Sequence, residues 1–236
     1  MARQETEAPQ ASHDIPLWRC CVWYVTWAIF KPLLGVIYRF HVKRRYLPAR
    51  GPVLVLANHQ SFLDPILIGL ASPARPIWSV ARKSLWGNKR WVDFALDTYN
   101  AFPINIEEMD MPAIRRCIDI MKDGHTLVMF PEGTRTADGS VGPFAPGLML
   151  LIKRAKPTVV PVAIDGAFGA WSRHMKKPRL FASVKLSVGD PIPAEELLAM
   201  PADAAIERVR TCVVDMMGQT ERETANQSEK AANEQQ

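Results

Sequence analysis

The sequence predicts an α/β fold: a mostly parallel sheet flanked by helices, preceded by an N-terminal helical segment suited to a membrane interface. Three observations lead there. Short unbroken apolar runs, "GPVLVLA", "TLVMF" and "TVVPVAI", read as strands covered on both faces. Between them lie stretches with helical spacing, such as Ile114, Ile118 and Met121. Strands and helices alternate along the chain, the order that builds a parallel sheet.

Residues 1–14 are polar and without a core pattern, so they read as a disordered N-terminus, and their acidic lead does not fit a secretory leader. Residues 15–46 form the aromatic and basic segment. Its uncharged run between Arg19 and Lys31 holds 11 residues, and at about 1.5 Å each it spans roughly half of a ~30 Å hydrocarbon core. Pro32 removes a backbone donor and is expected to kink or restart a helix. Trp18, Trp23, Tyr24 and Trp27, followed by Arg39, Lys43, Arg44 and Arg45, describe a helix or a bent helical pair lying in one leaflet's interface. A monotopic or peripheral place on the cytoplasmic face of a membrane follows.

Residues 47–220 carry the α/β domain. The first strand follows Gly51-Pro52, and Asp64-Pro65 opens a helix, Asp64 as N-cap and Pro65 as its first residue. Next come the strand "IWSVA", a helix around Trp86 to Leu96, the strand "YNAFPI" and a helix ending at Gly124. "TLVMF", a helix over 147–155, "TVVPVAI" and "LFASVKLSVG" complete the sheet. An amphipathic helix over 202–217 closes the domain, and residues 221–236 read as a disordered tail.

Composition narrows the partners. There are 29 Lys and Arg against 24 Asp and Glu, with a pI near 9.1, which favours an anionic partner. No nucleic-acid-binding motif accompanies the charge. The four cysteines fit neither a disulfide framework nor a metal-ligand spacing, and Cys20 and Cys21 read as small buried thiols in a reducing compartment.

Two polar motifs carry the chemistry. "NHQSFLD" (58–64) begins where the first strand ends, the place where open α/β sheets bind ligands. His59 and Asp64 are spaced for a carboxylate to fix an imidazole tautomer, leaving the other ring nitrogen as a general base. Ser61 lies between them without the G-x-S-x-G surroundings of a nucleophile. "FPEGTRT" (130–136) also begins at a strand end. Gly133 allows close backbone approach, Arg135 offers a planar fork of donors for phosphate, and Glu132 suits either a hydroxyl or Arg135.

The pair of motifs, in this order and about 70 residues apart, resembles the lysophosphatidic acid (1-acyl-sn-glycerol-3-phosphate) acyltransferase family of glycerolipid acyltransferases. "VARKSL", "AFPI", "ADGSVGPFAPG" and "VVPVAI" extend the likeness over residues 30–200. The resemblance implies an O-acyltransferase without metal or cofactor, moving a fatty acyl group from acyl-CoA or acyl-carrier protein to a lysophospholipid hydroxyl to give phosphatidic acid. His59 would be the base and Asp64 its orienter. Glu132, Gly133, Thr134 and Arg135 would bind the acceptor, with Asn58 and Ser61 from the first motif, and Pro161 would stand near the acyl chain. Two positions depart from the pattern. Asn105 and Ile106 stand where many relatives carry Asp-Arg, and Ala145 where a Lys is usual. Arg82, Lys83, Arg115 or Arg116 are the cations that could compensate. The departures leave open another lysolipid or amino-lipid acceptor, or a non-catalytic lipid-binding membrane protein.

Overall fold

Val53 to Ala57 are apolar without interruption and at most 1% exposed, which requires cover on both faces and pairing on both edges. The computed structural model, describing residues 15–87, 89–105 and 110–233, supplies all four. Among these residues the strands are β1 (His41–Lys43), β2 (Val53–Ala57), β3 (Trp78–Arg82), β4 (Ala101–Ile104), β5 (Thr126–Met129), β6 (Thr158–Asp165) and β7 (Lys185–Val188). They form one sheet in the order β1-β7-β6-β2-β5-β3-β4, parallel throughout except for the β6–β7 pair. Val53 sits opposite Thr126 on one side and Thr158 on the other.

Alternate side chains of β2 enter different layers. Val53, Val55 and Ala57 join a core built with α1 (Leu17–Ile37), α2 (Asp64–Leu70) and α6 (Ala167–Trp171). Leu54 and Leu56 join the other, built with α4 (Met111–Lys122), α5 (Leu148–Ala155), α7 (Ala194–Leu198) and α8 (Ala202–Asn233). Helix α3 (Arg90–Thr98) stands beside β4 on the α1 side, where Tyr99 packs against the first core. The predicted α/β sandwich with a mostly parallel sheet is what the chain forms.

The structure decides four expectations. First, of the two forms allowed for the N-terminal segment, residues 17–37 take the single helix, with Pro32 inside it. Pro32 is exposed, so the carbonyl it leaves without a partner faces outward, while Trp23, Leu34 and Tyr38 on the opposite side pack into a common core. By length and composition alone α1 could cross a membrane, yet one side is tied to the domain. The Trp23 and Trp27 indoles donate to Ser72 O (3.3 Å) and Leu70 O (3.1 Å), Tyr24 Oη donates to Ala74 O (2.8 Å), and Arg19 donates to Asn100 (3.3 Å). Second, residues 15–46 are not a separate segment, because β1 is an edge strand of the sheet. Third, α8 continues to Asn233 instead of ending near 217, which replaces the disordered tail over 221–233. After Gly218 the tail has no Gly or Pro and is rich in Ala, Glu and Gln, so a helix nucleated by its packed first half propagates. Fourth, Cys21 is exposed rather than buried, whereas Cys117 is buried and its thiol is pushed up to about 12 by desolvation. The expectations for residues 1–14 and for Ile106 lie outside the described residues.

The turn from β6 into α6 depends on Gly166. Its φ is +78°, and a Cβ there would stand 2.0 Å from Ser183 O. Only glycine lets the chain turn back here to bring α6 against the β2 end of the sheet.

Candidate active site

Strands β2, β3, β5 and β6 run parallel, so their C-terminal ends share one edge of the sheet. Four chain segments leave the sheet there: the first motif after β2, Arg82 at the end of β3, the second motif after β5, and α6 after β6.

The first motif turns tightly on Asp64. Its carboxylate points back along the chain, and Oδ2 accepts from Gln60 N (2.6 Å), Ser61 N (2.7 Å) and the His59 ring (2.7 Å). It does not cap α2 as expected from sequence; the helix begins at Asp64 itself, without a side-chain cap. Since a carboxylate only accepts, His59 donates from Nδ1 and keeps Nε2 as a lone-pair acceptor. The His59 side chain is 18% exposed and that of Asp64 is fully buried. Burial raises the Asp64 carboxyl above its ordinary range, opposed by His59 and the two backbone donors. The imidazole stacks on Phe130, centroids 4.1 Å apart, which fixes its plane.

Glu132 joins the two motifs. It accepts from His59 N (2.9 Å) through Oε1 and from Gly142 N (3.2 Å) through Oε2, and Thr136 N donates to His59 O (2.8 Å). Neither Arg135 nor a hydroxyl is its partner; the carboxylate holds backbone. Burial raises its pKa as well, again against the pull of its donors. Arg135 lies with its guanidinium over the Phe62 ring, 3.5 Å from the centroid. Gly133, at φ +68°, offers its carbonyl to Arg82 Nη2 (3.3 Å), and Thr134 is exposed at the tip of this loop.

Two residues expected to touch substrate do other work. Asn58 is fully buried and its amide extends the β2–β6 ladder, accepting from Ile164 N (2.8 Å) and donating to Ile164 O (2.9 Å). Ser61, also fully buried, donates to Trp171 O (2.9 Å) and accepts from Leu63 N (3.1 Å). With both polar edges spent on backbone, neither faces a ligand. Lys83 lies in the turn beyond Arg82, where its charge acts on Asp110 rather than on the second motif. Pro161 is buried mid-strand in β6, its carbonyl bonded to Gly189 N (2.9 Å). Ala145 donates to Pro131 O (3.0 Å) through its backbone and is exposed.

Sequence reasoning passed over several contributors. Gln60 donates to Gly139 O (2.9 Å) and accepts from Phe168 N (3.2 Å), linking the loop after the second motif to α6. Trp171 packs on Phe62, and Arg173 donates to Arg135 O (3.2 Å). The dense basic run "RHMKKPR" (173–179) is the one sequence signal that pointed toward them.

Beside the site, α1, α2 and α3 enclose a cavity of about 340 Å³ over β3 and β4. Its lining is almost wholly apolar, including Trp27, Phe30, Ile66 and Leu96, and Phe62 of the first motif and Pro65 just after it form one wall. A positioned base, a cationic rim and an apolar chamber share one edge of the fold. The arrangement suits proton removal from the hydroxyl of an amphiphile with an anionic head.

Comparison with known proteins gives the same direction. Residues 39–165 match the family model described as Acyltransferase. The 1-acyl-sn-glycerol-3-phosphate acyltransferase of Bacillus subtilis (strain 168) is 28% identical over 172 residues, 70% of this chain and 82% of that protein. The human 1-acyl-sn-glycerol-3-phosphate acyltransferase alpha is 30% identical over 193 residues, 75% of this chain and 65% of that protein. In fold, the chain is similar to the crystal structure of PlsC, the 1-acyl-sn-glycerophosphate (LPA) acyltransferase from Thermotoga maritima. The TM-score is 0.70 at 21% identity, covering 85% of this chain and 79% of that one.

Proposed function

From the premise that this chain belongs to the acyltransferase family, we propose that it transfers an acyl group from acyl-CoA or acyl-carrier protein to the free hydroxyl of 1-acylglycerol-3-phosphate. The product is phosphatidic acid. The observation that carries the reading is the His59–Asp64 pair at 2.7 Å, bound through Glu132 to the loop that bears Arg135. The names of the curated relatives support the acceptor.

In this reaction His59 Nε2 takes the hydroxyl proton as the acceptor oxygen attacks the thioester carbonyl. Asp64 stabilises the imidazolium. The tetrahedral intermediate collapses, the carbon–sulfur bond breaks, and the thiolate leaves with the proton returned by His59, so no acyl-enzyme forms. Arg135 and Arg82 hold the acceptor phosphate, and an acyl chain lies in the cavity between α1, α2 and α3. The exposed apolar side of α1, with Val25, Ile29 and Val36 each more than half exposed, lies in the membrane interface from which both lipids come.

The test is acyl transfer from labelled acyl-CoA or acyl-carrier protein to a panel of lysophospholipids in liposomes. His59→Ala should lower turnover by about 10²- to 10⁴-fold while thermal unfolding stays that of the wild type. Near-normal turnover in the variant would remove the base from the mechanism. Product only from another lysolipid would replace the acceptor.

A further inference from the structure

The second motif is bracketed by arginines from two different elements. Arg82, at the end of β3, donates to Gly133 O (3.3 Å), and Arg173, just beyond α6, donates to Arg135 O (3.2 Å). Between them Arg135 lies flat on Phe62, itself packed on Trp171 (centroids 5.1 Å), and its guanidinium has no hydrogen-bond partner among the described residues. Asp64 acts on Arg135 as an opposite charge, and Arg82 and Arg173 act on it more weakly as like charges. None of the three forms an ion pair among the described residues. Asp64 is already bonded to His59, Gln60 and Ser61, so what repulsion remains among the three cations is relieved when an anion arrives. Arg173 Nε meets His174 Nε2 (3.3 Å) and its Nη1 meets Arg135 O, which leaves Nη2 without a partner among the described residues.

We infer that Arg173 is a third arm of the acceptor site, binding the headgroup phosphate together with Arg82 and Arg135 and so selecting phosphate-bearing acceptors over neutral ones. The inference rests on the acceptor reading above. It gives the "WSRH" segment (171–174) a role in recognition, and it supplies the charge that Ala145 does not. Because Arg173 also holds the Arg135 carbonyl, the competing role is that of a strap. A strap would position Arg135 alike for every acceptor.

The experiment has two arms, each applied to wild type, Arg173→Ala, Arg173→Lys and, as a control from the same loop, Lys177→Ala. In the first, binding of sn-glycerol 3-phosphate and of glycerol is followed by calorimetry, which requires no turnover. In the second, acylation of 1-acylglycerol-3-phosphate and of 1-acylglycerol is measured at steady state. Loss of one charge-assisted hydrogen-bonded contact corresponds to about a ten- to hundredfold weakening. Arg173→Ala should weaken glycerol 3-phosphate binding by that factor and raise KM for the phosphate-bearing acceptor with kcat little changed. Arg173→Lys should recover part of the loss, and Lys177→Ala should resemble wild type. Unchanged glycerol 3-phosphate binding in Arg173→Ala, no binding by the wild type, or an equal loss on both acylated acceptors overturns the inference. A wild type that binds glycerol 3-phosphate but does not acylate 1-acylglycerol-3-phosphate refutes the function reading alone, and the binding arm still decides on Arg173.

Discussion

At the level of single residues, the candidate site is built on carboxylates that hold backbone amides. Glu132 holds the amides of His59 and Gly142 from a half-buried position where its pKa is raised, chiefly by desolvation. The sign of the stability effect follows. A carboxyl whose folded pKa exceeds its unfolded one stabilises the fold most below the ordinary value of about 4.3, and that contribution is lost as pH rises through the raised value. Thermal unfolding of wild type and Glu132→Gln between about pH 3 and about pH 8 should therefore show the wild type's relative stability falling with pH and then levelling. A relative stability that grows with pH would mean that the backbone donors outweigh burial. That His59, Asp64 and Arg135 meet at one edge of the sheet was legible in the sequence, because each lies just beyond a strand end inside a short motif. Asn58 and Ser61 misled because a motif does not say which of its polar side chains point inward. Gln60, Phe62 and Arg173 were missed because their partners lie far along the chain, where local spacing says nothing.

At the level of elements, α1 shows two unlike sides. Trp23, Leu34 and the bonds to Leu70, Ser72 and Asn100 fasten one side, while Leu17, Val25, Ile29 and Val36 stand out from the other. Removing the helix would open the core, so membrane contact is better tested on its outer side. Replacing Val25, Ile29 and Val36 together by Ser should reduce co-sedimentation with phospholipid vesicles. Each exposed change should move stability by no more than about 0.5 kcal/mol. Unchanged vesicle binding would exclude this side of α1 as the contact. The apolar and aromatic character of α1 was readable in advance, but its continuity through Pro32 was not. The rule that Pro breaks a helix holds for the bond it removes, and at Pro32 that bond lies on the outer side, where the packed side keeps the axis. The short strand β1 escaped notice because "HVK" has no apolar run of its own and becomes a strand only by pairing with β7.

At the level of the whole molecule, the first motif is closed from behind by the last helix. Met217 of α8 brings its sulfur to 3.4 Å from the Asn58 amide, and Val209, Val213 and Met216 complete the core under β6. Among the described residues, those that α8 contributes to the core end at Met217. A chain ending after Gly218 should keep its acyl-transfer rate and its melting temperature, and one ending after Met200 should lose both. Equal behaviour of the two would mean that α8 contributes nothing to the site.

The central position of β2 has a consequence in the order of synthesis. Val53 to Ala57 leave the ribosome early, but their sheet neighbours exist only after Thr126 and then Thr158 have been made. At about 5–20 residues per second the second neighbour arrives roughly 5–20 s later. Through that interval the nascent chain carries an unbroken apolar segment with open backbone edges, a hazard for association with other nascent chains. The loop that bears His59 is thus translated well before it becomes competent, since Trp171 and Met217, which brace it, follow 112 and 158 residues later.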